Sequence, residues 1–346
     1  MNREKRLRTW IRIEVILLFF MMGVFLLRAA NRTEDREQAV VTATSATGKD
    51  YIKWVDFTIS YEALCQAYDW DVNTFDTEHH VEWIPLLSYT AARTGGAFDK
   101  RALKILNETA EKLAEGGTDM EELTKDMKYY SYYLEAYSAA LGGLVGEYEA
   151  EVTGEDGQSS WQEKYGLKGY CPIARGFDYT HYDDFGAGRS YGYKRRHLGH
   201  DMMGLVGTPI IAIESGTVEA LGWNQYGGWR IGIRSFDKKR YYYYAHLRQN
   251  YPYAEGLEEG SVVTAGDVIG YMGHTGYSTK ENVNNIEVTH LHWGLELVFD
   301  EAQKESDNEI WIDVYPLTRF LAKHTQEVMK VEGTREWIRT TKIKEF

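Results

Sequence analysis

The spacing of apolar and polar positions changes twice along the chain. Residues 11–27, "IRIEVILLFFMMGVFLL", are apolar apart from Arg12 and Glu14. At 1.5 Å per residue such a helix reaches roughly 25 Å, just enough for a thin bilayer. The basic run "MNREKRLR" precedes it, which predicts a cytoplasmic N-terminus with the bulk of the chain outside. A cleaved signal peptide is the rival reading, because the apolar core from Val15 to Leu27 is short. Small residues before a cut are poorly placed, however, so an uncleaved anchor is expected. Residues 31–50 are small and polar and read as a tether.

From residue 51 to about 150 the period is helical. "ISYEALCQAYDWD" starts at a plausible Ser60 cap. "EHHVEWIPLLSYTAARTGG" has Pro85 to begin or kink a helix and glycines to end it. In "FDKRALKILNETAEKLAEGG", Leu103, Ile105, Leu106 and Leu113 lie on or near one face. "MEELTKDMKYYSYYLEAYSAALGGLVGEYE" reads as the longest helix. Its tyrosines at 129, 130, 132, 133 and 137 form an aromatic packing wall. The adjacent His79 and His80 read as surface residues.

Beyond residue 150 glycine becomes frequent and the period falls to two. "GTPIIAIESGTVEALG", "WRIGIRSFDKKRYYYYAHL" and "GSVVTAGDVIGYMGHTG" are strand–turn–strand patterns. They predict an antiparallel β domain. "DVYPLTRFLAKHTQEVMK" reads as a terminal helix with Pro316 near its first turn.

Composition narrows the function classes. The chain has 346 residues and a net charge of −13; without a basic face it is not expected to bind nucleic acid. Cys65 and Cys171 are its two cysteines. A disulfide is permitted if the chain is exported, and two buried thiols are the plainer expectation.

The candidate chemistry is histidine-rich. In "THLHWGLEL" side chains alternate, so Leu291, Trp293, Leu295, Leu297 and Phe299 take the core face. His290, His292, Gly294 and Glu296 take the other, with Glu296 expected to face solvent. In "YYYYAHLRQ" the same alternation places His246 with Tyr242 and Tyr244, opposite Ala245 and Leu247. In "RRHLGHDMMG" His197 and Asp201 are four apart, and Gly199 between them suits a tight loop that lets imidazole and carboxylate converge. Such a set suits Zn²⁺. Spacing alone leaves two sites open: a closed structural one with His197, Asp201, His290 and His292 as ligands, or an open one with three.

"HLGHD", "GTPIIAIESGTVEALGW", "YGG", "YYAHL", "AGDVIGYMGHTG" and "HLHWGLEL" resemble, in order and approximate spacing, the lysostaphin/LytM-type zinc endopeptidases over about residues 170–300. The resemblance implies that His197, Asp201 and His292 are the zinc ligands and that His246 and His290 are catalytic. It also implies a groove and a zinc-activated water that cuts peptide bonds in peptidoglycan stems or cross-bridges. One of the two catalytic histidines would take the water's proton. His200, His181, His274 and His324 need no role in that chemistry, and Tyr191 or Tyr193 would line the groove or pack. "KENVNNIEVT", between Thr279 and His290, is longer than the link in relatives and is expected beside the groove.

The expectation is therefore an α+β chain in five parts. Residues 1–30 are a cytoplasmic tail and transmembrane anchor, and 31–50 the tether. Residues 51–150 form a helical domain acting as spacer, regulator or protein-partner module. Residues 151–310 are the LytM-like zinc peptidase domain, and 311–346 a C-terminal helix and tail. The protein would be single-pass in the cell membrane, its peptidase domain extracytoplasmic and its substrate peptidoglycan peptide. The alternatives are a noncatalytic scaffold of the same fold in an envelope assembly, or a module that grips the wall without cutting it.

Overall fold

The computed structural model describes residues 42–44, 50–154, 157–191, 193–304, 306 and 308–345. The expected anchor and most of the tether lie outside the described residues. Among the described residues, no helix is long and apolar enough to cross a membrane. The chain divides into two units, Met1–Trp54 and Val55–Phe346. In the first, β1 (Thr42–Thr44) pairs antiparallel with β2 (Asp50–Ile52).

The second unit opens with helices. Helix α1 (Tyr61–Thr74) starts where the Ser60 hydroxyl accepts the Ala63 N–H, satisfying one of the helix's orphan donors. Helix α2 (Trp83–Thr94) carries Pro85 in its first turn, where no intrahelical donor is needed, and stops at the left-handed Gly95. Helix α3 (Lys100–Ala114) is capped by Asp99 and buries Leu106 and Leu113. The long helix expected next is broken into α4 (Met120–Thr124) and α5 (Tyr130–Leu141). The chain then turns at Gly142-Gly143 into a strand, β3 (Val145–Thr153). The turn is tight because a side chain on Gly143 would collide with Glu214. The boundary expected at 150/151 thus falls inside β3, and helices and sheet belong to one compact unit. The tyrosine wall packs inward, with Tyr137 fully buried and edge-on to Phe57 at 5.9 Å.

The central sheet has eight strands. Its order is β13 (Val262–Val263), β10 (Gly216–Asn224), β11 (Gly228–Ser235), β12 (Arg240–Ala245), β15 (His290–Leu297), β8 (His200–Met203) and β5 (Thr180–Tyr182), with β16 (Ile310–Ile312) also on β15. Every pairing is antiparallel. Smaller sheets flank it. β3 lies between β4 (Ser159–Leu167) and β19 (Ile343–Lys344). β9 (Pro209–Ile211) pairs with β14 (Val268–Tyr271), β6 (Gly188–Tyr191) with β7 (Tyr193–Arg196), and β17 (Val328–Lys330) with β18 (Trp337–Arg339). The terminal helix is short, α6 (Tyr315–Leu321). The residues expected to prolong it pair as β17 instead, so strand pairing outweighs their helical pattern.

Register decides what each face of the sheet carries. Ile233, Tyr242 and Leu295 stand opposite one another across β11, β12 and β15, as do Ile231, Tyr244 and Trp293. All six are buried. Helix α6 covers this face: Trp293 Nε1 donates to Thr318 Oγ1 at 3.1 Å, and Phe320 packs on Tyr68 and Trp83 of α1 and α2. Arg240 fastens the sheet to α5. Its guanidinium donates to Glu214 at 2.7 Å and to the Ala139 carbonyl at the α5 C-terminus at 2.8 Å.

Candidate metal centre and groove

The other face carries the histidines. His292 stands opposite both Ala245 of β12 and Asp201 of β8 in register, and His290 stands opposite Met203. Asp201 and His292 therefore project to the same side, and His197 joins them from the loop before β8. His197 Nε2 lies 3.0 Å from Asp201 Oδ1 and 2.9 Å from His292 Nδ1, and the last two atoms are 2.9 Å apart. Gly199 makes room for this triangle. Its φ is not left-handed, so it is not required for a tight turn. Instead, a Cβ there would sit 2.6 Å from both His292 Cε1 and the Trp293 carbonyl oxygen.

Three lone-pair atoms converging at 2.9–3.0 Å fit a cation at their centre. Tetrahedral zinc with bonds of about 2.0–2.1 Å places its ligands about 3.3 Å apart, so a small expansion of the triangle admits it. Charge agrees with this. Burial alone would raise the Asp201 carboxyl, but the adjoining His197 and His292 hold it well below the usual carboxylate range. Burial, above all, pushes His292 below its ordinary value, leaving it neutral and able to offer a lone pair. Behind the triangle, His197 Nδ1 is 2.7 Å from Asp184 Oδ1. That contact lies off the axis of the ring N–H, so neither atom has an aligned hydrogen-bond partner. Arg189 bridges Asp184 at 2.6 Å and Asp201 at 3.4 Å.

His290 and His246 stand beside the triangle. His290 Nε2 is 3.8 Å from Asp201 Oδ1, and the His246 ring centre is 4.7 Å from that of His290 and 5.8 Å from that of His292. His290 Nδ1 donates to the Val288 carbonyl at 2.8 Å, and His246 Nδ1 to the Thr275 carbonyl at 3.0 Å. Carbonyls only accept, so Nδ1 carries a proton in both rings, and a neutral ring then has its acceptor at Nε2. Burial, reinforced by His290, holds His246 well below its ordinary value. His246 reaches the site by a route that strand alternation does not give. Its φ is +61°, so it turns off the end of β12 onto the face of Tyr243 and Ala245, opposite the buried Tyr242 and Tyr244. His246 therefore does not share a face with Tyr242 and Tyr244, as strand alternation predicts, but stands beside His290 and His292.

All five expected residues meet in one cavity of about 600 Å³, which Arg189, Arg195, Tyr226, Tyr243, Tyr277 and Trp311 also line. Ile286 brings the long segment before His290 to its edge. The side chains of Tyr191 and Tyr193 lie outside the described set. His200 points the other way: it stands opposite the core residue Trp293, is 1% exposed and meets His181 at 2.8 Å. Glu296 is 2% exposed, contrary to the solvent-facing expectation, because β16 covers that end of β15. His80 is no free surface residue either, since it meets the buried Asp71 at 3.0 Å. Sequence reasoning missed Asp184, Arg189 and Arg195. Arg189 and Arg195 arrive on the β6–β7 hairpin and Asp184 on the segment before it, placements that no local spacing encodes.

Residues 195–305 match the model of peptidase family M23. The L-Ala--D-Glu endopeptidase of Bacillus subtilis is 33% identical over 160 residues, which is 46% of this chain and 45% of that protein. Lysostaphin of Staphylococcus simulans is 37% identical over 89 residues, 25% of this chain and 17% of that protein. The chain thus spans less than half the length of these curated relatives. Among solved structures, that of a LytM protein from Ruminococcus gnavus is 24% identical, covers 75% of this chain and 88% of its own, and has a TM-score of 0.49. The lysostaphin catalytic domain is 29% identical, covers 41% of this chain and 92% of its own, and has a TM-score of 0.32. The resemblance seen in the motifs agrees with the family match over the segment that holds the five residues.

Proposed function

We propose that this chain is a zinc-dependent endopeptidase that hydrolyses peptide bonds of peptidoglycan stems or cross-bridges. On this reading it works outside the cytoplasmic membrane, tethered by residues 1–30, and His197, Asp201 and His292 hold the zinc. The observation that carries the reading is the convergence of these three ligand atoms within one open cavity, beside two more histidines whose Nε2 atoms are acceptors. The match to peptidase family M23 supports it.

When bound, zinc supplies a Lewis acid that brings a water's pKa to about 7 and polarises a carbonyl. The chain's residues supply the rest. Asp201, held ionised, contributes one negative charge to the ligand set. His246 or His290 takes a proton at Nε2 as a general base. Once protonated, the same atom is a donor for the departing amine, and the neighbouring imidazole donates to the developing oxyanion when its own Nε2 carries a proton. The carbonyls of Thr275 and Val288 hold both Nδ1–H groups, so Nε2 is the atom that gains or gives a proton in each ring.

The test uses the full chain in detergent with purified peptidoglycan. New amino termini should appear, vanish with chelator, return with added zinc, and be absent in Asp201→Ala. Retention on the wall with no new termini would establish the binding-module alternative. Inactivity together with absence of metal and of wall binding would point to the scaffold alternative.

A further inference from the structure

Three arginines line the cavity, and their situations differ. Arg189 is neutralised by Asp184 and Asp201. Arg196 is exposed to water. Arg195 is half-buried and held by rings: its guanidinium carbon lies 4.8 Å from the ring centres of both Tyr226 and Tyr277. Two aromatic faces stabilise a cation but accept none of its in-plane N–H groups. Arg195 Nη1 is fully buried with no hydrogen-bond partner, and among the described residues no carboxylate pairs with it. A buried donor left unsatisfied costs about 1–3 kcal/mol. The rest of the Arg195 side chain lines the cavity that holds the five site residues.

We infer that Arg195 is a specificity-determining residue: clamped between Tyr226 and Tyr277, it receives a carboxylate of the substrate peptide, so the preferred substrate is an acidic peptide rather than an uncharged glycine bridge. This rests on the peptidase reading and names its substrate class. The position of the carboxylate follows from two contacts in series. Arg195 lies over Tyr277 at 4.8 Å, and the Tyr277 ring is 6.2 Å from that of His246. These keep the guanidinium within about 11 Å of His246, and an extended peptide advances about 3.4 Å per residue, so the carboxylate belongs within about three residues of the bond cut. A guanidinium fork takes a carboxylate through two parallel N–H···O bonds, which a carboxamide cannot reproduce. The fork also explains why an arginine, rather than a lysine, suits this place.

The experiment pairs two synthetic stem peptides of sequence L-Ala-D-Glu-L-Lys-D-Ala-D-Ala, one with free carboxylates and one with carboxamides, and includes pentaglycine as an uncharged probe. Cleavage kinetics and calorimetric binding are measured on the full chain loaded with zinc. Amidation should raise KM and weaken binding about tenfold or more, the range for charge-assisted hydrogen bonds. In Arg195→Gln the two stem peptides should become equal within about twofold, and Arg195→Lys should keep part of the preference. Bound zinc in each variant reports an intact groove. Equal handling of both stem peptides by the unsubstituted protein, or a preference that survives Arg195→Gln, overturns the inference. Cleavage without carboxylate preference removes this inference alone, whereas binding that depends on both carboxylate and Arg195, without cleavage, upholds it and removes the hydrolase reading.

Discussion

Gly199→Ala adds a single methyl group where the structure has no room for one. The new Cβ would lie 2.6 Å from the Trp293 carbonyl oxygen and 2.6 Å from His292 Cε1. Ordinary contact begins at 3.4 Å, so something must give by about 0.8 Å, and a 1 Å misplacement at a reacting centre is enough to cost about a hundredfold. The Trp293 carbonyl belongs to the central strand β15 and is held by its neighbours β12 and β8. The His292 ring is therefore the part that moves, and it carries one corner of the ligand triangle. The backbone adds no penalty of its own, since Gly199 is not in the left-handed region. Overpacking of this kind destabilises by about 1–3 kcal/mol, a few degrees of Tm for a unit of this size. We expect Gly199→Ala to bind zinc at least tenfold more weakly, measured by competition with a chromophoric chelator, with a modest fall in Tm. Gly188→Ala is the control, because a Cβ there meets nothing within 4 Å, and both quantities should be unchanged. Zinc affinity within threefold of the parent in Gly199→Ala would refute the claim that this glycine exists to seat His292.

Further outcomes follow from the same geometry. His246→Ala and His290→Ala should each retain zinc by elemental analysis and lose about 10²–10⁴-fold in cleavage rate; loss of metal from the His290 variant would instead indicate a closed four-ligand site. Arg240→Leu strands Glu214 in the interior and should destabilise by about 3–5 kcal/mol in chemical denaturation, a loss that the double variant Arg240→Leu/Glu214→Leu should partly restore. His324 is held below its ordinary pKa mainly by burial, partly opposed by its hydrogen bond to the Gly169 carbonyl. Above the unfolded value of about 6.5 it is neutral in both states; below it the unfolded chain takes up the proton first, so stability should fall as pH drops from 6.5. The Tm loss between pH 7.5 and 5.5 should accordingly be smaller in His324→Gln than in the parent, and an equal loss would exclude His324 as a source of the pH dependence.

Strand alternation and local stop signals were enough to determine much of this protein. They placed Leu291, Trp293, Leu295 and Leu297 on the core face of β15 with His290 and His292 opposite, and they marked the Ser60 cap, the Gly95 stop and the hairpins. Those features depend on neighbours a few residues away, so the linear order encodes them. Tertiary structure decided the rest. His246 meets the other histidines because a left-handed residue ends β12. Gly199 matters for the clearance of a ring 93 positions later in the chain, not for a turn. The helical pattern after Leu141 and Leu321 yields to strand pairing with β4 and β18. Glu296 and His200 are buried because β16 and the core cover them, and Arg189 and Arg195 reach the cavity only through the fold of the β6–β7 hairpin. Each of these outcomes is a balance between contacts distant in sequence, and a local pattern carries no record of which distant surface will arrive.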